Sequence, residues 1–358
     1  MKQGQSYNVM IDKHPAAIVK CKSSEDVVNA VHYARKNNME VSIRGGGHGY
    51  LTRKYGLTND NLLRADVVLA NGDFVHASKD ENPDLFWALR GGGGNFGVVT
   101  TFEFQLHPVK NVIAGPLFWP LDKLETTLKW YRDWLPQLPD DVYAFYLENE
   151  VPPSDPFPKE IQGKKVCGLL WCYTGAEDEF EKYIQQARDV AEPLFEFVGE
   201  MPYPDLQQLF DGILPPGDQW YWKGDFVREI PDEAIAVHKR FGKVPNTKSG
   251  MHLYPVNGVA HKLDNDDTAW SKRDANWSMV IAGVDPDPGN MKKLKTWARD
   301  FWEALHPYSM GGAYINFMMG EGEDRIRGSY GENYKRLAKI KAKYDPENFF
   351  HINQNIKP

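Results

Sequence analysis

The sequence has few cysteines, no long apolar run and no excess of positive charge. Its 358 residues include three cysteines, too few and too scattered for a disulfide framework or a zinc-binding CxxC pair. No apolar stretch approaches the roughly 18 residues that a membrane-spanning helix needs. Lys and Arg number 42 against 49 Asp and Glu, a formal net charge of −7. This acidic excess argues against a phosphate-backbone partner, because no basic stripe dominates the sequence. These absences argue against a disulfide-rich protein, a membrane protein and a nucleic-acid-binding protein.

The length predicts about two domains, because single domains usually hold about 100–200 residues. The N-terminus lacks an apolar core of the kind that a secretory signal carries, so we expect a cytoplasmic protein. Aromatic residues make up 13% of the chain, which suits either a site that stacks planar or sugar-like ligands or ordinary core packing.

A β-α-β unit is predicted at the start of the chain. Residues 16–21 and 39–44 have the pattern of short buried strands, and the helix between them begins after Ser23, whose hydroxyl can cap its first turn. Such a unit is right-handed in nearly all cases and makes its two strands parallel. The second strand runs directly into a glycine-rich turn.

A hairpin, a short helix and a third strand follow. Asn71 and Gly72 separate two strand-like runs, which is the strongest short-range signal for a hairpin. Asn82 is the expected N-cap of a short helix that continues from Pro83. Residues 98–106 alternate polar and apolar side chains as a strand does.

Beyond residue 110 the pattern predicts an antiparallel sheet with helices on one face. The predicted strands lie near residues 142–149, 165–173, 220–228, 249–255, 277–284 and 312–319. The predicted helices lie near residues 121–135, 176–192, 231–241, 290–305 and 331–343.

The first candidate site is the run Arg44-Gly45-Gly46-Gly47-His48 at the end of a predicted strand. Three successive glycines let backbone N–H groups converge on an anion such as a pyrophosphate, and the arginine adds a fixed positive charge. The run lacks the G-x-G-x-x-G spacing of a dinucleotide-binding fold. On these residues alone, the alternative is a structural turn with a solvent-facing histidine.

The second candidate site is a longer glycine run, Gly91 to Gly94, followed by Asn95, Phe96 and Gly97. Gly91 alone would end the preceding helix, so the other glycines need a further reason. Close approach of the backbone to a ligand is one such reason, and a flexible glycine loop is the alternative.

The third candidate site is the pair Tyr314 and Asn316 in the predicted strand 312–319. Residues two apart share one face of a strand, so this phenol and amide would lie side by side, whereas Ile315 and Phe317 would point away. Such a pair can bind or deprotonate a hydroxyl group of a substrate. A tyrosine whose hydroxyl is satisfied in the core is the alternative.

Together these motifs and their surroundings resemble the berberine-bridge-enzyme-like branch of the FAD-linked oxidases, within the vanillyl-alcohol-oxidase superfamily. Three stretches carry the resemblance: PAAIVKCKSSEDVVNAVHYARKNNMEVSIRGGGH, LTRKYGLTNDNLLRADVVLANGDFVHASKDENPDLFWALRGGGGNFGVVTTFEFQLHPV and the tail YGENYKRLAKIKAKYDPENFFHINQNI. The middle of the chain is similar more loosely, through YWKGDF (221–226), KRDA (272–275) and GAYINF (312–317).

The resemblance implies an α+β fold with two domains. Both ends of the chain, residues 1–110 and 321–358, would form a PCMH-type FAD-binding domain, and residues 111–320 a substrate domain with an antiparallel sheet covered by helices. In the family several dozen residues separate the GGH loop from the equivalent of LTRKYGL, whereas here the two meet at GGGHGYLTRKYGL. We call the junction, residues 48–51, the seam. The FAD domain is therefore expected to be truncated, lacking a central stretch between about residues 49 and 51.

The resemblance also implies which residues hold the flavin. Arg44 to Gly47 resemble the loop under the FAD pyrophosphate, and His48 the histidine that family members often bond to the flavin 8α-methyl carbon. The other implied cofactor-binding residues are Gly93, Gly94, Asn95, Gly97, Val98, Asn353 and Gln354. Because no cysteine lies near the seam, the resemblance excludes bicovalent attachment, and no metal is expected.

By resemblance, the reaction is hydride transfer from an alcohol, a sugar or a related small molecule to flavin, followed by reoxidation with molecular oxygen. Tyr314 and Asn316 are the implied catalytic residues. Many relatives have a second tyrosine, the proposed base, at the position of Phe317, whose ring cannot take a proton. Tyr314 is then the nearest substitute, and Tyr254 and Tyr221 are further candidates.

Two functions stay open on the sequence. The chain is either an FAD-dependent oxidoreductase or a truncated, cofactor-free remnant that binds a small molecule or a partner without redox activity. The glycine stretches and His48 favour the first alternative, and the missing stretch favours the second. A third alternative is that the missing stretch is an artefact of the reading frame. The sequence predicts neither the substrate nor the oligomeric state.

Overall fold

The computed structural model describes residues 7–10, 19–39, 41, 47–352 and 354–358. Within these residues the chain forms two antiparallel sheets with helices packed around them, as expected for an α+β fold. The strands are β1 (Leu62–Val68), β2 (Phe74–Ser78), β3 (Val98–Phe104), β4 (Asn111–Pro120), β5 (Val142–Glu150), β6 (Lys165–Tyr173), β7 (Phe195–Glu196), β8 (Gly199–Pro202), β9 (Gln219–Val227), β10 (Gly250–Pro255) and β11 (Trp277–Asp285). The helices are α1 (Ser24–Lys36), α2 (Thr52–Tyr55), α3 (Pro83–Leu89), α4 (Leu124–Trp134), α5 (Glu177–Val190), α6 (Tyr203–Gln208), α7 (Asp232–Phe241), α8 (Met291–Leu305), α9 (Glu323–Tyr330) and α10 (Tyr334–Tyr344).

Helix α1 begins after Ser23, as predicted. The Ser23 hydroxyl accepts a hydrogen bond from the backbone N–H of Asp26, and the Asp26 carboxylate accepts one from the backbone N–H of Ser23, both at 3.1 Å. This reciprocal pair satisfies two donors that a helix N-terminus otherwise leaves free. The strands predicted on either side, 16–21 and 39–44, fall mostly outside the described residues, so the β-α-β unit stays a prediction.

The smaller sheet has three strands in the order β2-β1-β3, each pair antiparallel. The predicted hairpin joins β1 to β2, and its Gly72 has a φ of +90°, which glycine adopts without strain. Helices α3 and α10 pack on this sheet through Leu85 and Leu337, against Ala65 and Val67 of β1. Because α10 comes from the C-terminal part of the chain, the core of this sheet combines both ends of the sequence.

Asn82 is the N-cap residue of α3 and the helix begins at Pro83, as predicted, but the Asn82 side chain makes no capping hydrogen bond. Asn82 has a φ of +46°, and its side-chain amide donates to the carbonyl of His76 rather than accepting from the helix N-terminus. Asparagine is among the few residues that occupy this left-handed region readily. The side chain therefore ties the start of α3 to β2 instead of capping the helix.

The larger sheet has eight strands. Seven follow the order β7-β4-β6-β5-β10-β11-β9, and β8 also pairs with β4. All of these pairings are antiparallel, as the alternation of polar and apolar residues predicts. The five strands predicted between residues 142 and 284 and the four helices predicted between residues 121 and 305 are confirmed.

Side chains of the larger sheet alternate between its two faces. On β5, Ala144 and Tyr146 lie in a core covered by α4, α5, α7 and α8, whereas Tyr143 and Phe145 lie on the opposite face. We call the side that carries Tyr143 and Phe145 the front face. Tyr50, which comes directly after the seam histidine and glycine, packs against this front face.

The residues after the seam bind tightly to the larger sheet. Arg53 is only 1% exposed, and its guanidinium donates to the carbonyls of Val142 and Leu138 at the start of β5. Asp60 and Arg273 form a buried pair with two hydrogen bonds of 2.6 and 2.8 Å. These contacts hold the segment that follows His48 in a fixed position on the larger sheet.

A buried ion pair joins α10 to the second glycine stretch. The Lys341 ammonium donates to Asp345 Oδ2 at 2.6 Å and to the carbonyls of Asn95 and Phe350 at 2.7 and 2.8 Å. Both charged side chains are completely buried. Because the three protons of the ammonium each have an acceptor, the pair tolerates burial.

Replacement of Lys341 by methionine should lower the free energy of unfolding by about 3–5 kcal/mol, because Asp345 would stay buried without its partner. The matched control is Lys343→Met, two residues along the same helix, where the half-exposed ammonium pairs with Asp84. This control should cost less than about 1 kcal/mol. Denaturant unfolding of both variants measures the difference, and equally small losses would contradict the role given to Lys341.

Candidate active site around His48

His48 follows the first glycine turn and lies where three aromatic rings meet. The centroid of its imidazole is 4.6 Å from that of Tyr314, 5.4 Å from that of Phe317 and 5.5 Å from that of Tyr254. We call these four residues the His48 cluster. Tyr254 belongs to β10 of the larger sheet, so the cluster joins the first glycine turn to the front face.

The surroundings of His48 keep its imidazole neutral. Burial lowers the pKa of His48 to about 4, because apolar rings disfavour the charged form. The Nε2 atom is buried and has no hydrogen-bond partner within the described part of the chain. Buried polar atoms are nearly always paired in native proteins. An unpaired one therefore marks a place where an atom of a ligand could bind.

The strand predicted over residues 312–319 is wrong. Gly311 and Gly312 have φ values of +66° and +74°, and a single turn of 3-10 helix follows at Ile315–Phe317. Only the start of the segment pairs like a strand, where the backbone N–H of Phe226 donates to the carbonyl of Gly312. The two glycines give the backbone a bend that ends the extended course, and the alternation of side chains does not reveal such a bend.

The turn changes which side chains meet. The amide of Asn316 donates to the Tyr314 hydroxyl, so the predicted pair does come together. Phe317, predicted to point away, instead packs on the Tyr314 ring with centroids 5.1 Å apart. Burial raises the pKa of Tyr314 to about 12, so its hydroxyl keeps its proton at neutral pH.

Gly47 is the point at which the first glycine turn touches the cluster. Its carbonyl accepts hydrogen bonds from the hydroxyl and the backbone N–H of Thr58, at 2.6 and 3.2 Å. A Cβ atom at Gly47 would overlap the hydroxyl of Tyr314. Glycine is therefore required here for the close approach of the turn to Tyr314.

Protein neighbours explain several glycines of the second glycine stretch. A Cβ atom at Gly91, Gly92 or Gly97 would clash with the backbone of Trp270, the carbonyl of Ala88 or the side chain of Val67, respectively. Gly93 differs, because it has a φ of +68° and faces Ile315 and the Tyr330 hydroxyl. Packing within the protein thus explains why some positions of the second glycine stretch must be glycine. The same glycines had also predicted close approach of a ligand. Contact with a cofactor stays a prediction for Gly93, Gly94, Gly97 and Val98.

Asn95 is completely buried, and its amide is used up by contacts within the protein. Its Nδ2 donates to the carbonyls of Gly92 and Gln354 at 2.9 and 3.1 Å, and its Oδ1 accepts from the backbone N–H of Ile356 at 3.0 Å. These bonds attach the C-terminal tail to the second glycine stretch. The Asn95 side chain therefore positions the stretch, and both N–H groups of its amide are used within the protein.

Four predicted site residues lie outside the described residues: Arg44, Gly45, Gly46 and Asn353. In the described ranges, no group of three or more His, Cys, Asp or Glu side chains is placed to hold a metal ion. Among the helices of those same ranges, none combines the length and the apolar character that a membrane crossing requires.

Two residues that border the cluster, His252 and Asn149, are not among the predicted site residues. The Nδ1 atom of His252 lies 2.7 Å from the Tyr254 hydroxyl, and its Nε2 atom lies 2.9 Å from Oδ1 of Asn149. The period of two along β10 could have placed His252 beside Tyr254. Nothing in the sequence links Asn149 to His252, because the two residues are about a hundred positions apart. Tyr221 is not part of the cluster, because it lies under α8 on the opposite face.

Profiles of two known families match the chain. The profile of the berberine and berberine-like family matches residues 313–357, and that of an FAD binding domain family matches residues 15–53. The chain is 31% identical over 325 residues to an FAD-linked oxidoreductase of Dictyostelium discoideum. That alignment covers 88% of this chain and 67% of the relative. The relative is thus the longer protein, as expected if a stretch is missing from this chain.

Two solved structures share the fold over nearly the whole chain. A 6-hydroxy-D-nicotine oxidase from Arthrobacter nicotinovorans has a TM-score of 0.85 at 22% identity, covering 99% of this chain and 95% of that one. A glucooligosaccharide oxidase from Acremonium strictum has a TM-score of 0.84 at 20% identity, covering 99% and 94%. At these identities the similarity establishes the fold, and it confirms the predicted architecture.

The neutral state of His48 predicts that stability depends on pH. An unfolded histidine binds its proton near pH 6.5, whereas folded His48 binds one only near pH 4. Between these values the unfolded state holds more protons, so stability falls as the pH is lowered through this window. The variant His48→Gln should therefore lose about 1–3 kcal/mol less stability between pH 7 and pH 4 than the unaltered protein.

Denaturant unfolding at both pH values measures this difference. The control is His32→Gln, which removes an exposed histidine of α1 and should leave the pH dependence as it is. If the His48 variant shows the same loss as the unaltered protein, the buried neutral state of His48 is contradicted.

Proposed function

The chain belongs to the berberine-bridge-enzyme-like FAD-linked oxidoreductases, and we propose that it oxidises an alcohol, a sugar or a related small molecule with FAD and passes the electrons to molecular oxygen. The single observation that carries the proposal is the buried, unpartnered Nε2 of His48 beside the first glycine turn. The names of the two solved neighbours, oxidases of a nicotine derivative and of glucooligosaccharides, support a small organic substrate.

The described residues fit the flavin that this family uses. His48 offers a neutral ring nitrogen with no competing hydrogen bond, which is the state that covalent attachment to a flavin carbon requires. Gly47 and Gly93 carry no side chain of their own, so their backbone can line a flavin where Tyr314 and Ile315, which border these two positions, move aside. We therefore assign His48 as the attachment residue, with Gly47, Gly93 and Gly94 as backbone walls. Attachment through a second, cysteinyl bond is not part of the proposal, because no cysteine lies near the seam.

Bound FAD would supply the hydride acceptor. The residues of the chain would bind the substrate and hold its reacting carbon in place. The rings of Tyr254, Tyr314 and Phe317 provide apolar surfaces on which a planar or sugar-like substrate can stack. Burial raises the pKa of both Tyr254 and Tyr314, so each meets a substrate oxygen as a neutral hydroxyl. Phe317 contributes packing and no proton transfer.

The second candidate function is that of a cofactor-free binding protein. The observation that favours it is the contact between Tyr314 and Gly47, in which the hydroxyl occupies the space that a Cβ atom would need. Three rings also pack directly on His48. A flavin bonded to His48 would have to share or displace these contacts. Under this alternative the front face would bind an aromatic or sugar-like ligand without redox chemistry.

The visible spectrum of purified protein incubated with FAD distinguishes the two functions. The proposal expects flavin absorbance that stays with the acid-precipitated pellet, since a covalent bond survives unfolding. The variant His48→Ala should bind FAD but release it into the supernatant, and the control His32→Ala should retain it in the pellet. A colourless protein that takes up no added FAD would contradict the oxidoreductase function and favour the binding protein.

A further inference from the structure

Tyr254 has a hydrogen-bond partner that Tyr314 lacks, the imidazole of His252 on the same strand. His252 and Tyr254 are two residues apart on β10 and point to the front face, where Tyr254 reaches the His48 cluster. The Tyr254 hydroxyl lies 2.7 Å from His252 Nδ1, and His252 Nε2 lies 2.9 Å from Oδ1 of Asn149. Hydrogen bonds therefore connect three side chains in the order Tyr254, His252, Asn149.

The partners of the imidazole determine its tautomer. An amide oxygen only accepts hydrogen bonds, so we assign the proton of the neutral ring to Nε2, which donates to Asn149. Nδ1 then carries the lone pair and accepts from the Tyr254 hydroxyl. Asn149 thus acts on Tyr254 through His252, because it fixes which ring nitrogen can accept a proton.

Among the described residues, no formal charge near this chain of hydrogen bonds competes for the proton. Burial alone lowers the pKa of His252 to about 4 and raises that of Tyr254. The titratable groups that face Tyr254 from the seam and from β5 are His48, Tyr50 and Tyr143, whose pKa values burial also shifts toward the neutral form. Glu148, next to Asn149, points to the opposite face, where it binds His238.

We propose that Tyr254 receives the hydroxyl proton of the substrate and passes its own proton to His252 Nδ1, with Asn149 as a positioning residue. The inference rests on the proposed function. Bound FAD would accept the hydrogen and the electron pair of the substrate C–H bond as a hydride, and the O–H electron pair of the substrate would become part of the new carbonyl bond. The substrate proton goes to Tyr254 Oη, and the Tyr254 proton goes to His252, which later returns it to water.

The other candidate bases are less suited to this step. The Tyr314 hydroxyl accepts from Asn316 and lies against Gly47, and within the described residues no imidazole or carboxylate accepts its proton. Phe317 has no hydroxyl. Tyr254 combines a position beside His48 with an unprotonated nitrogen that accepts from its hydroxyl. We call the hydrogen-bonded side chains of Tyr254, His252 and Asn149 the relay. The relay supplies the proton acceptor that the phenyl ring of Phe317 cannot provide.

The first test needs no substrate. In the purified protein labelled with ¹⁵N-histidine, the resonances of His252 should show a protonated Nε2 and an unprotonated Nδ1 at pH 7. The variant Tyr254→Phe should shift the Nδ1 resonance, because its hydrogen bond is lost. The variant Asn149→Asp should raise the pKa of His252 by about 1–2 units, since a carboxylate favours the imidazolium. A His252 that carries its proton on Nδ1 would overturn the relay.

The second test measures flavin reduction by substrate in single-turnover experiments on the FAD-loaded protein. Tyr254→Phe should slow reduction by about 10²–10⁴-fold. His252→Gln, which can still accept from the Tyr254 hydroxyl but cannot take its proton, should slow it by a similar factor. The double variant should be no slower than either single one, because the two residues act as a unit. In Asn149→Asp the rate of flavin reduction should begin to fall at a higher pH on the acid side, because the pKa of His252 is raised.

The matched control is Tyr143→Phe, which removes a neighbouring hydroxyl of the front face and should leave the rate of reduction within about twofold. Tyr254→Phe or His252→Gln reducing at the unaltered rate with FAD bound would overturn the relay and leave the proposed function intact. A protein that binds no FAD would overturn both, so the two failures are distinguishable.

Discussion

The packing of the His48 imidazole against rings of the front face is the contact on which the rest of the site depends. It places the end of the first glycine turn beside Tyr254, a residue of the larger sheet. This position is stable because the chain after the seam is anchored by buried cations: Arg53 on the carbonyls at the start of β5 and Arg273 on Asp60. A guanidinium that makes several hydrogen bonds with carbonyl or carboxylate oxygens is held in a fixed position. The site of a shortened chain is thus still held on the larger sheet.

Much of the fold could be predicted from the sequence, because periods of two and 3.6 report directly on buried faces. The strands and helices between residues 121 and 305 follow these periods closely. The segment after Gly312 does not, because its course depends on positive φ values at Gly311 and Gly312. Alternating apolar residues there look like a strand, whereas the backbone of the two glycines bends the chain into a 3-10 turn.

The candidate site was predictable only in part, for two physical reasons. Glycines are ambiguous, since a missing side chain serves close packing as well as ligand binding. An added Cβ atom would lie 2.4 Å from the nearest protein atom at Gly91 and 2.5 Å at Gly97, whereas at Gly93 the nearest atom, of the Ile315 side chain, is 3.1 Å away. Hydrogen bonds between distant strands are the second reason. His252 and Asn149 form a hydrogen bond because β5 lies beside β10 in the sheet. Local sequence patterns do not predict the order of strands in a sheet.

The central claim, that His48 is the attachment point of a flavin, is tested most directly by peptide mass analysis. Protein reconstituted with FAD is unfolded, digested and analysed for the peptide that contains His48. If His48 is the attachment point, this peptide carries the added mass of the flavin and no other histidine-containing peptide does. A His48 peptide of unmodified mass from protein that has bound FAD would contradict the assignment.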